Sequence, residues 1–168
     1  KWRNVGLIVL LAYEWGQRAG DMRKLKWDNI NFDEQRLDLE QSKRRAIVHL
    51  PISDDLFKIL KDQYEYVKGI SDYVAPRVYP KNGSYSVYSM SEVSALANEV
   101  KEEAGLPKEL WIMDLRRTAI TEMVEAGVDV TGIMQVSGHN SPQSVAPYLV
   151  NTFRGASTAL NQRKVNKE

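Results

Sequence analysis

Apolar residues crowd the start of this chain. Between Trp2 and Trp15 they fall at Val5, Leu7, Ile8, Leu10 and Leu11, a density that predicts a mostly buried helix ended by Gly16. A short second helix is expected from Ala19 to Lys26, with Met22 and Leu25 inward. The turn formers of Trp27–Asp33 then break the helical period. Alternation takes over: Arg36–Glu40 and Ala46–Ile52 read as two strands, joined by a polar, positively charged tip over Gln41–Arg45. Helical spacing returns at Leu56, Ile59, Leu60 and Tyr64 behind a Ser53-Asp54-Asp55 cap. Residues 69–89, interrupted by Pro76, Pro80, Asn82 and Gly83, read as irregular structure. Helices are expected from Ser91 to Ala104, Asp114 to Ala126, Asp129 to Val136 and Ser141 to Leu149. A weakly amphipathic tail over 152–162 carries Phe153, Ala156 and Leu160. The pattern predicts an α+β fold, mainly α, with one small antiparallel β-sheet.

Composition narrows the classes. A chain of 168 residues with 43% hydrophobic content suits one domain with a real core. With 23 basic against 22 acidic residues the net charge is +1, which neither demands nor excludes a polyanionic partner. Local clusters say more, namely Lys43-Arg44-Arg45 and Arg116-Arg117. The absence of cysteine excludes disulfides and thiolate metal sites, and His49 and His139 are too few for an imidazole-rich centre. Neither metal nor cofactor is expected. No apolar run reaches the ~18 residues needed to span a bilayer, and no signal-peptide pattern is present. A cytoplasmic location without membrane contact is therefore expected. The chain begins at Lys1, so it is expected to be a piece of a longer protein.

The densest chemistry lies near the end, where Ser137-Gly138-His139-Asn140-Ser141-Pro142 precedes Tyr148, nine residues beyond the histidine. Upstream stand Arg18, in Gly16-Gln17-Arg18-Ala19-Gly20-Asp21, and Arg116, in Asp114-Leu115-Arg116-Arg117-Thr118. Metal-free cleavage of a phosphodiester needs cationic donors for the non-bridging oxygens, an in-line nucleophile and a proton for the leaving oxygen. Arginine's planar fork suits the first task, so Arg18 and Arg116 are candidates. Tyr148 is the candidate nucleophile and Lys43 the candidate acid. A phenol with an unperturbed pKa of ~10 attacks poorly unless neighbouring cations favour its anion. Pro147 interrupts a regular helix and would present the Tyr148 hydroxyl from a turn. Taken singly, each of these residues is usually structural, and the eight tyrosines show that residue type alone identifies nothing.

Together the blocks resemble the tyrosine recombinase (phage integrase) family over nearly the whole chain. The first family block, Thr-Gly-x-Arg-x-x-Glu before Leu-x-Trp-x-Asp-Ile, is similar to Trp15–Asp21 followed by Leu25–Ile30. This places Arg18 as the first catalytic arginine and Asp21 as its acidic support. The hairpin lysine, eight residues before a strand-ending Leu-Pro step, matches Lys43 before Pro51. The second block, His-Asp-Leu-Arg-Arg-Thr, reads Met113–Thr118 here, with Arg116 as the second arginine. Leu-Gly-His reads Ser137-Gly138-His139, and the nucleophile falls on Tyr148.

The resemblance implies a single catalytic domain over 1–168 of the DNA breaking-rejoining type. An N-terminal DNA-gripping (core-binding) domain is expected to be absent from this stretch. The tail over 152–168 would be exchangeable between protomers through Phe153, Ala156 and Leu160. Implied partners are double-stranded DNA and three further copies in a tetramer on it, the fragment alone being a monomer. Arg18, Lys43, Arg116, His139 and Tyr148 would form the catalytic set. Lys43, Arg44, Arg45 and Arg117 would contact DNA, and location would be prokaryotic or phage-encoded, near the nucleoid. One position departs from the pattern: Met113 stands where the family usually has histidine, and a thioether neither donates a hydrogen bond nor exchanges a proton. That departure raises an alternative, a catalytically impaired DNA-binding module. A second alternative, type IB topoisomerase-like relaxation, uses nearly the same chemistry.

Overall fold

The computed structural model describes residues 2–43, 45–149 and 153–165. Helix α1 (Trp2–Glu14) forms where the apolar density predicted it, burying Val5, Leu7, Ile8 and Leu11. Gly16 follows at φ +58, the left-handed step that reverses the chain without a Cβ clash. Helix α2 (Ala19–Met22) is one turn long, ending four residues before the expected boundary. Met22 and Leu25 are nonetheless fully buried, because residues 23–25 continue as turns, the Arg23 amide bonding four residues back and those of Lys24 and Leu25 three.

A 3-10 turn over Trp27–Asn29 then enters a two-residue strand, β1 (Ile30–Asn31), in a stretch expected to be turn alone. It pairs antiparallel with β2 (Arg36–Glu40), Ile30 opposite Leu37, and β2 pairs with β3 (Ile47–Pro51), Leu37 opposite Leu50. The strand order is β1-β2-β3. Leu37, Leu39, Val48 and Leu50 point to the core, while Asp38 and His49 face outward.

Helix α3 (Asp54–Val67) is capped by Ser53, whose hydroxyl accepts the Leu56 amide at 3.4 Å. Its buried stripe is Leu56, Leu60, Gln63 and Val67 rather than the expected Leu56, Ile59, Leu60 and Tyr64. Ile59 is exposed, and Tyr64 is half-buried edge-on to Trp27, 5.0 Å between ring centroids. Residues 69–89 are irregular, as their proline and glycine content implied. Helix α4 (Met90–Glu103) opens with a reciprocal cap: Ser89 and Glu92 satisfy each other's backbone amides.

Helix α5 (Asp114–Glu125) packs across α1. Helix α6 (Val130–Ser137) is capped by Asp129, which accepts the Gly132 amide at 3.0 Å, and closed by left-handed Gly138. Helix α7 (Pro142–Val145) gives way to a 3-10 turn over Ala146–Tyr148, so the expected continuous helix is broken where Pro147 predicted a turn. Helix α8 (Phe153–Val165) lies against α5. Ala156 and Leu160 are exposed on it, and the Phe153 side chain lies outside the described ones.

Two apolar clusters result. The larger joins α1, α2, the sheet, α3 and α4; the smaller is Ile120, Ile133 and Val145, with Met123, Val124, Met134 and Tyr148 packed on it. The candidate site lies where they meet.

Candidate active site

Each candidate side chain is carried by a chain feature that limits its movement. Arg18 follows the left-handed turn at Gly16 and precedes α2, in extended backbone. Lys43 stands at the tip between β2 and β3. Arg116 leaves the first turn of α5, and His139 follows the left-handed end of α6. Tyr148 ends the 3-10 turn. All five line one cavity of about 490 Å³, with Gln17, Met113, Ser144 and Pro147 completing its wall. The two arginines therefore face one space from opposite sides of the boundary between the apolar clusters.

Arg116 is 7% exposed, and its guanidinium donates to the carbonyls of Gly16 at 3.2 Å and Ser137 at 2.6 Å. Burial pushes its pKa down to about 10, and the nearby Arg18 charge adds to the push; the Tyr148 hydroxyl and Asp21 act in the opposite sense. The group still carries its charge at neutral pH. A buried cation bonded to neutral carbonyls beside a second cation is a site that an anion stabilises.

Asp21 lies beside Arg18 and also holds the neighbouring hairpin tip. Its Oδ2 is 3.8 Å from Arg18, a loose pair, while Oδ1 accepts from both the amide and the hydroxyl of Ser42. The carboxylate thus anchors the residue next to Lys43. The other side of that tip is held by Gln41, which is fully buried. Its Nε2 donates to Gln17 Oε1 at 2.6 Å and to the Ser137 carbonyl at 2.8 Å, and its Oε1 accepts from Arg18 at 3.3 Å. Gln17 in turn donates to the carbonyls of Trp15 and Val136. Sequence reasoning missed Gln17, Gln41 and Ser42. Glutamine has no motif of its own, although a polar residue ending an alternating strand beside a lysine was a usable hint.

His139 is 7% exposed, with its ring centroid 5.6 Å from that of Tyr148 and its Nδ1 2.6 Å from the Ser137 hydroxyl. Met113 ends the chain's approach to α5 and is 81% exposed at the cavity edge. Of the expected DNA contacts, Lys43 lines the cavity, Arg117 is exposed, and Arg45 is ion-paired with Glu40 at 2.7 Å. Arg44 lies outside the described residues. Among the described residues, no cluster of His, Asp or Glu could hold a metal ion, and no helix is long and apolar enough to cross a membrane.

The model of the phage integrase family matches residues 3–154. The chain belongs to that family. Curated relatives include the tyrosine recombinase XerA of Pyrococcus furiosus, 28% identical over 142 residues, covering 84% of this chain and 48% of the relative. A putative integrase/recombinase of Haemophilus influenzae is 30% identical over 134 residues, 80% of this chain and 33% of that protein. This phage integrase family chain thus spans about half, or less, of these relatives' length. Among solved structures, the XerA recombinase crystal structure superposes with a TM-score of 0.73 at 20% identity, over 96% of this chain and 56% of that one. A lambda integrase tetramer bound to a Holliday junction gives 0.67 at 22% identity, over 90% and 43%. These likenesses establish the fold as that of tyrosine recombinase catalytic domains.

Proposed function

We propose that this chain is the catalytic domain of a site-specific DNA recombinase or integrase, cutting and rejoining DNA through a 3′-phosphotyrosyl intermediate. The observation that carries the reading is the convergence of Arg18, Lys43, Arg116, His139 and Tyr148 on one cavity with a buried, anion-seeking guanidinium. The Tyr148 phenolic oxygen attacks the phosphorus as the P–O5′ bond breaks. Lys43 protonates the departing oxygen to give a 5′-hydroxyl, and Tyr148 gives up its own proton. Arg18 and Arg116 hold the non-bridging oxygens as charge accumulates on them, and His139 assists beside Arg116. The phosphotyrosyl bond keeps the energy of the phosphodiester, so religation to a second 5′-hydroxyl needs no nucleotide or metal.

A nicked suicide substrate tests the reading: the wild-type chain becomes covalently linked to DNA and Tyr148→Phe does not. Linkage that persists in Tyr148→Phe would overturn it. Double-stranded DNA is the proposed partner, bound by a tetramer during strand exchange, with Lys43, Arg44, Arg45 and Arg117 on phosphates. The cytoplasm of a prokaryotic cell is the proposed place of action. The second reading, an impaired DNA-binding module, rests on Met113 at the cavity edge without a proton to exchange, and the named relatives do not favour it. Restoring the histidine by Met113→His raises the linkage rate if the site is competent, whereas linkage absent from both chains favours the second reading.

A further inference from the structure

Ser137 has one hydroxyl proton and two partners. Its Oγ lies 2.6 Å from the Ile133 carbonyl, which only accepts, and 2.6 Å from His139 Nδ1. The proton therefore goes to Ile133, and Nδ1 must carry a hydrogen that it donates to Ser137. The titrating proton of the ring then belongs to Nε2. The serine is fully buried, and its backbone is held by the bonds that its carbonyl accepts from Arg116 and Gln41. Among the described residues, the titratable groups that line the cavity with His139 are Arg18, Lys43, Arg116 and Tyr148, with Asp21 behind Arg18. Of the cavity-lining groups, imidazole alone has an unperturbed pKa between 5 and 8. Met113, the usual place of a second imidazole, offers none.

We infer that Ser137 is a positioning residue that holds neutral His139 with its hydrogen on Nδ1, so that Nε2 takes the phenolic proton of Tyr148 during attack. The balance is simple. The proton passes from the tyrosine oxygen to Nε2, the new O–P bond forms, the P–O5′ bond breaks, and Lys43 supplies the hydrogen of the 5′-hydroxyl. The imidazolium left behind adds its charge to those of the arginines, and it returns its proton to Tyr148 on religation. This rests on the phosphotyrosyl reading above, but its structural half is testable without DNA.

Nitrogen-15 NMR of the histidine-labelled chain, with His49 assigned by His49→Gln, reads the tautomer directly. The expected result is Nδ1–H for His139 above its titration, shifting towards Nε2–H in Ser137→Ala. Nε2–H in the wild type would overturn the inference. On the suicide substrate, single-turnover linkage is expected to rise with pH between about 5 and 8, as a neutral imidazole accumulates. Ser137→Ala should lower it about tenfold at unchanged DNA affinity, less than the ~10²–10⁴ of losing a proton-transfer group outright. Ser137→Thr, which keeps the hydroxyl, should restore both rate and tautomer. A rate that falls through the same pH range, or is equal in Ser137→Ala, would overturn the role. Tautomer as expected with no linkage at all would overturn the phosphotyrosyl reading along with the proton transfer; linkage with the wrong tautomer would overturn this inference alone.

Discussion

Gly138 shows how little freedom one position of the site has. Its φ is +68, and a Cβ there would lie 2.7 Å from the amide of Gln41, the side chain that ties the lysine tip to Ser137. Gly138→Ala must therefore strain the backbone and displace the glutamine together, at a cost of about 1–3 kcal/mol. Urea unfolding would read that loss, and suicide-substrate linkage should fall further than stability alone accounts for, since the Lys43 tip and His139 both shift. Gln41→Leu separates the two effects. It leaves Gln17 Oε1 and the Ser137 carbonyl without this buried donor, an expected loss of roughly 1–3 kcal/mol. The five catalytic candidates were legible as residue types in motif order. The amides that hold them were not, because a buried glutamine bonding carbonyls 24 and 96 positions away leaves no local trace.

At the scale of elements, periodicity located α1, α3, α4 and α5 and both longer strands, whereas α8 was legible only as a weakly amphipathic tail. It failed where tertiary contacts decide. Ile59 shares a helical stripe with Leu56 on paper, yet Gln63 takes the inward place because Arg3, Asn4 and the Val74 carbonyl satisfy its polar atoms. Strand β1 is two residues long and exists only as a partner for β2. Helix α4 depends on its cap. Arg77 first, then the Ser89 amide and hydroxyl, hold the Glu92 carboxyl down from 4.5 to about 2. A depressed carboxylate stabilises the fold above its unfolded pKa, and the contribution disappears as pH falls from about 4.5 towards 2. Denaturant unfolding at pH 7 and pH 3 should therefore show a smaller difference in Glu92→Gln than in the wild type, and an equal difference would deny the cap its role.

Across the whole molecule, the candidate catalytic residues are divided between the sides of two apolar clusters. Arg18 and Lys43 stand on elements of the larger, built from α1, α2, the sheet, α3 and α4, while Tyr148 packs on the smaller, of Ile120, Ile133 and Val145, and His139 follows α6, which carries Ile133. Arg116 crosses the boundary by its bond to Gly16, as do Gln17 to Val136 and Gln41 to Ser137. At the cavity the two halves are thus joined by buried hydrogen bonds, and among the described residues the smaller cluster has three buried apolar side chains to resist opening. Local opening free energies follow such differences in buried apolar contact. Amide exchange should accordingly be faster across α6 and α7 than in α1 and β2. Ile120→Ala, at a fully buried position, should cost about 2–5 kcal/mol and accelerate exchange in α6 and α7 before α1 is affected. Under the proposed function, adding duplex DNA should slow exchange across the same segments, because a phosphate held between Arg18 and the buried Arg116 would link the halves. Slowing confined to α1 and the sheet would place the DNA on one half and leave the divided site unclosed.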